Sequence, residues 1–196
     1  MLKILSEDLA LILLKNKIID IKDRDIYIYG LEIILSTIAI TLTLISMGII
    51  FRKLILTLVF ISIFMLLRTY TGGYHAEKFS QCFFTSIGIY IVEIITTSLI
   101  AEKYKMILGI FFALVSTIII FIFSPVENSN NPLTLEEKRK YKKKSRVIIL
   151  AILTFILIGF YTNCIKAEIT FMVSLTILSI GILTIIPVFE RRKKYV

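Results

Sequence analysis

One histidine and two cysteines in 196 residues are too few for a metal centre, which takes three or four protein ligands. No metal or other cofactor is therefore expected. Charge is scarce as well. With 19% charged and 57% hydrophobic residues and a mean hydropathy of +0.89, the chain is too apolar for a soluble domain, in which about half of the residues are apolar. The N-terminal stretch "SEDLALILLKNKIIDIKDRD" is crowded with charge and lacks a small-residue cleavage site, so a cleaved leader is not expected. No nucleic-acid motif accounts for the net charge of +9, and no internal repeat is present.

What the sequence does have is long apolar runs. Crossing a hydrocarbon core of about 30 Å takes about 17 to 25 helical residues. Six segments qualify: 31–50, 51–67, 79–101, 106–126, 147–165 and 169–189. The second is the weakest and requires Arg52 and Lys53 to snorkel to an interface. Sorting the 23 Lys and Arg residues by the connections so defined puts 18 on the side of the N-terminus and five on the other. By the positive-inside rule both termini are cytoplasmic. The expected fold is an all-α membrane protein with six transmembrane helices. Residues 1–196 form one integral-membrane domain, with an amphipathic N-terminal segment at 1–30, a bundle over 31–189 and a basic tail at 190–196. Cys82 then lies near the inner face and Cys164 near the outer one, too far apart for a disulfide.

Leu2, Leu5, Leu9, Ile12 and Leu13 recur at helical spacing, which reads as an interfacial helix on the inner leaflet. It is either an anchor or a docking face for an amphipathic peptide. The inner connection "SPVENSNNPLTLEEKRKYKKKSR" begins with turn residues and ends in a basic segment, the core of a cytoplasmic loop at 127–146. Thr134 and Glu137 stand at capping-box spacing, which predicts a helix starting near Leu135. Lys138, Arg139, Lys142, Lys143 and Lys144 either report topology alone or bind an acidic peptide segment.

The stretch "RTYTGGYHAEKFSQC", Arg68 to Cys82, interrupts the apolar pattern. A cysteine peptidase needs a thiolate, a base that generates it and donors for the oxyanion. Cys82 falls in the first turn of the third span, where unpaired N–H groups favour negative charge. His75 can act as general base. Gly72 and Gly73 permit a sharp bend, and Arg68 supplies fixed positive charge. On one continuous helix His75 and Cys82 would be about 10.5 Å apart along the axis, too far for proton transfer. Catalysis therefore requires His75 to fold back onto the helix of Cys82. On spacing alone a hydrogen-bonded interfacial His and an apolar filler Cys are the more ordinary reading of these residues. Glu93 is the one acid deep within a span and sits on nearly the same face as Cys82, about 16 Å away. It either bonds to a neighbouring helix or lines a polar, substrate-contacting groove.

The run Arg68, Gly73-Tyr74-His75-Ala76 and Gln81-Cys82, followed by Pro125-Val126-Glu127, Asn131-Pro132-Leu133 and a Glu- and Lys-rich helix, resembles the AgrB family, the accessory gene regulator B proteins of Gram-positive bacteria. The resemblance covers essentially the whole chain. It implies a membrane-embedded cysteine endopeptidase of the bacterial cell membrane that processes a small AgrD-like precursor peptide. In such proteins the Cys releases the acidic C-terminal tail at the cytoplasmic face, and a side chain within the peptide captures the acyl-enzyme to give a cyclic thiolactone or lactone for quorum sensing. By position, Cys82 is the nucleophile and His75 the base, with Glu77 a nearby candidate to orient it. Arg68 and Gly73 match other positions of the pattern. A homodimer is expected. The competing readings are an exporter of a small peptide without proteolytic activity, dependent on Glu93, and a non-catalytic membrane scaffold.

Overall fold

The computed structural model describes residues 2–73, 79–127, 133–162 and 164–194, with side chains defined except at 2, 79 and 190–194. Seven helices follow in order: α1 (Leu2–Lys15), α2 (Arg24–Ile50), α3 (Leu54–Thr71), α4 (Phe79–Leu99), α5 (Glu102–Phe123), α6 (Leu135–Thr162) and α7 (Ala167–Lys194). Helices α2 to α7 are each long and apolar enough to cross a membrane, so the chain is a multi-pass membrane protein. Among the described residues the only strand-like pairing is a single bridge between Gly72 and Val126.

Span boundaries shift where charge lies near a helix end. The second span, expected at 51–67, begins at Leu54 and runs through Arg68 to Thr71. Its late start follows from the tight turn after α2. There the Arg52 and Lys53 amides donate to the Ile49 and Gly48 carbonyls at 3.0 and 2.8 Å, with Arg52 left-handed at φ 54°. This is a Schellman stop. The last turn holds Arg68 because a cation is favoured at a helix C-terminus and its stem can lie along apolar surface. α6 is continuous from the basic segment into the membrane. Its start matches the sequence reading: Glu137 Oε2 accepts from the Thr134 amide at 3.0 Å and from its hydroxyl at 2.9 Å, and the Glu137 amide donates back to Thr134 Oγ1 at 3.3 Å.

α7 occupies the centre, packed by α3, α4, α5 and α6. Its apolar stretch is 67% buried, against 11–33% for the other five spans. Hydrocarbon gives helices no hydrophobic reason to associate, so close backbone approach and hydrogen bonds must do it. Gly159 of α6 lies against Thr170 of α7 where a Cβ would collide, and Gly48 of α2 lies against Thr57 of α3 in the same way. Buried hydroxyls along α7 find acceptors on their own helix: Ser174 donates to the Thr170 carbonyl at 2.9 Å and Thr184 to that of Ile180 at 2.8 Å. Apolar packing fills the gaps with Ile120, Ile149, Ile156, Phe171 and Ile177 on one side of α7, and Leu44, Phe60, Tyr90 and Met172 on the other. At the end of the bundle near the starts of α3, α5 and α7, Glu168 accepts from Lys53 at 3.4 Å and pairs with the buried Lys105 at 3.8 Å.

α1 forms where a helix was expected. Ser6 and Ala10 are its fully buried residues, whereas Leu5 and Ile12 of the predicted stripe stay 47% and 54% exposed. The small residues let α1 pack closely back along α2, so the apolar side points away from the protein.

Two outcomes follow for detergent-solubilised protein. Arg52→Gly relieves the left-handed strain and raises stability by about 1 kcal/mol, measured as a higher thermal midpoint. Gly48→Leu forces α2 off Thr57 and lowers stability by about 1–3 kcal/mol, measured the same way.

Candidate functional site

The chain leaves α3 through Gly72 and Gly73, whose φ values of +66° and +110° suit glycine alone. The turn is held from two directions. The Gly72 amide donates to the Arg68 carbonyl at 3.1 Å, and the Val126 amide, in the connection after α5, donates to the Thr71 carbonyl at 2.9 Å. A side chain on Gly72 would run into the Val126 carbonyl, and a Cβ on Gly73 would lie 2.8 Å from the Leu183 carbonyl of α7. That carbonyl is special in one respect: Pro187, four residues on, has no N–H to give it. The turn therefore seats against a backbone acceptor released from its usual helical donor.

After the turn, Cys82 lies in the first turn of α4, half-buried. Arg68, fourteen residues earlier, interacts electrostatically with it and stacks over the Phe64 ring at 5.4 Å from the centroid. Arg68 thus places a fixed positive charge within electrostatic reach of the Cys82 sulfur. His75, the expected base, and Glu77 lie outside the described residues.

The basic start of α6 leans on the same region. Lys144 stacks on Tyr70 at 4.9 Å and Tyr141 meets Tyr70 edge-on at 5.7 Å, two residues past Arg68. Lys138 pairs with Glu127 at 2.9 Å. Arg139, Lys142 and Lys143 are exposed. Of the basic residues singled out from the sequence, Lys138 and Lys144 thus have partners on the protein, and the other three form an exposed cationic strip.

Glu93 lies apart from this group. It is 2% exposed, and its carboxyl is bound by α7, with Oε2 2.8 Å from the Thr176 hydroxyl and Oε1 2.7 Å from that of Ser179. Cys164 is exposed in the connection between α6 and α7, its Sγ 3.7 Å from the Thr162 carbonyl. Sequence reasoning missed Val126, Leu183 and Pro187 as supports of the glycine turn, and Tyr70 as the seat of Lys144. It also missed Thr176 and Ser179, although their spacing of three placed both on one face of an apolar helix, and that signal was available.

A protein of Clostridium perfringens (strain 13 / Type A), provisionally named AgrB-like protein 2, is 31% identical over 145 residues, covering 70% of this chain and 66% of its own length. A provisionally named AgrB-like protein of Listeria monocytogenes serotype 4b (strain CLIP80459) is 30% identical over 127 residues, 64% of this chain and 61% of that one. Another, of Clostridium beijerinckii, is 28% identical over 188 residues, 94% and 90% of the two chains. The chain therefore spans slightly less than two thirds of the first two of these relatives. No solved structure matches it. The pattern of the family described as Accessory gene regulator B matches residues 6–188, from α1 almost to the end of α7 and across both the glycine turn and the basic segment. The chain belongs to the AgrB family.

Proposed function

We propose that this protein is a membrane-embedded cysteine endopeptidase that matures a small AgrD-like precursor peptide for quorum sensing. The observation that carries the reading is the place of Cys82 in the first turn of α4, just beyond a glycine turn that follows Arg68 in the last turn of α3 and leads to His75, in a chain of the AgrB family. The whole chain acts as one membrane domain. Its termini, the glycine turn and the basic segment face the cytoplasm, where 18 of the 23 Lys and Arg residues fall by the sequence sorting.

His75 takes the Cys82 proton, and the thiolate attacks the scissile carbonyl of the precursor. The tetrahedral adduct carries its negative charge near Arg68 and the first turn of α4. Collapse breaks the C–N bond, His75 passes its proton to the departing amine, and the acidic tail leaves. The acyl group remains on Cys82 as a thioester. A thiol or hydroxyl within the peptide then attacks the thioester, giving its proton to His75 and regenerating the Cys82 thiolate as the ring closes. A site recessed at the membrane surface keeps water from the thioester until that group arrives. The exposed Arg139, Lys142 and Lys143 attract the acidic tail.

With a matching precursor in nanodiscs, intact-mass analysis is expected to find a thioester adduct on Cys82 and a released tail. Neither should appear with Cys82→Ala or His75→Ala, and tail release undiminished in both variants would overturn the peptidase reading. Charge reversal at Lys142 and Lys143 is expected to raise KM about tenfold at low salt and much less near 0.5 M salt, because exposed charges are screened within a few ångströms there. Equal cleavage by parent and variant at both salt concentrations would remove the strip from substrate binding.

A further inference from the structure

The helix of the nucleophile and the turn before it are both referenced to α7. Gly73 seats against Leu183, and Glu93, on the Cys82 side of α4, bonds to Thr176 and Ser179. The inward face of α4 is otherwise mostly polar: Ser86, Tyr90, Glu93 and Thr97 are buried, with Ile94 beside them. The Tyr90 hydroxyl lies 2.6 Å from Thr57 Oγ1 of α3, and the Thr97 hydroxyl lies 3.7 Å from the sulfur of Met172. In hydrocarbon an apolar face would not hold α4 against α7 by water exclusion. Its rotation and depth therefore depend on these bonds, and Glu93 makes two of them.

We propose that Glu93 is a positioning residue that fixes Cys82 relative to the glycine turn by latching α4 to α7. This deepens the peptidase reading and rests on it only in giving Cys82 its chemical role. The hydrogen-bond pattern specifies what the latch requires. The Thr176 hydroxyl has one proton and two oxygens within reach, Glu93 Oε2 at 2.8 Å and the Met172 carbonyl at 2.9 Å. The set is fully satisfied when the group at 93 accepts from Ser179 and itself donates to Thr176, leaving the Thr176 proton to Met172. A carboxylic acid does this and so does an amide. Among the described residues no cation pairs with Glu93. The latch thus works without charge, whereas an exporter moving protons through this position would need an acid that titrates.

The test uses the full chain in nanodiscs with Cys164→Ala, so that Cys82 is the single thiol. Alkylation of Cys82 by a maleimide is timed without peptide, and kcat and KM are measured for a matching precursor. Glu93→Gln is expected to stay within about twofold of the parent in alkylation rate and kcat, while Glu93→Leu loses about tenfold or more in kcat with KM nearly unchanged, as a misplaced reacting group does. Its alkylation rate should shift at least about threefold, since access and local field at the sulfur change with the helix. Ser179→Ala, which keeps the acid and removes one bond, covers the case in which the Leu variant fails to fold, and is expected to fall between Gln and Leu. If Gln is as defective as Leu, position 93 must titrate and the latch is overturned. If Leu, or a folded Ser179→Ala, matches the parent in both readouts, it is overturned as well. Tail release persisting in Cys82→Ala would instead end the peptidase reading, while the peptide-free alkylation series would still decide the role of Glu93.

Discussion

A helix surrounded by hydrocarbon gains nothing by hiding its leucines from its surroundings, so a membrane bundle holds where backbones come close and polar groups find partners. In this chain both conditions meet on α7. Gly159 lets α6 approach at Thr170, the hydroxyls of Ser174, Thr176 and Thr184 donate to carbonyls of α7 itself, and that of Ser179 donates to Glu93. The outer helices contribute apolar surface that faces either α7 or lipid without much energetic preference. The pairings that decide their positions are few and specific.

The two ends of the bundle are furnished differently. Around the starts of α3, α5 and α7, charge is neutralised inward, with Lys53 and the buried Lys105 sharing Glu168. Around the glycine turn, charge is turned outward and left available, as with Arg139, Lys142 and Lys143, or held beside a thiol, as with Arg68. The aromatic pair Tyr70 and Tyr141, with Lys144 over the Tyr70 ring, links the last turn of α3, which also carries Arg68, to the basic segment of α6.

The sequence made some of this legible and concealed the rest for physical reasons. Six spans could be read because hydropathy is a property of windows and survives ignorance of neighbours. The Thr134–Glu137 cap could be read because every atom it needs lies within four residues. The end of α3 was misjudged because Arg68 looked like a loop residue until its stem was allowed to lie along the helix. The leucine stripe of α1 says which side is apolar, but it does not say that Ser6 and Ala10 will make the contact with protein. Of the site, Cys82, Arg68 and the glycines stood out by their rarity in an apolar chain. Their supports, Val126 and Leu183, are ordinary residues whose backbone carbonyls do the work, and a carbonyl leaves no mark in a sequence. Pro187 was the one visible trace, since a proline within a span frees an acceptor one turn earlier.

The order in which the chain is made adds a consequence to the central place of α7. Spans emerge from the ribosome one after another, and α7 is the last of the six described here. Until it arrives, α4 has no hydroxyls to receive Glu93 and the glycine turn has no carbonyl to rest against. Cys82 is synthesised some hundred residues earlier, yet its surroundings are completed only when the final helix enters the bundle. A chain interrupted before that point would hold Cys82 without the contacts that α7 supplies to its helix and to the turn before it.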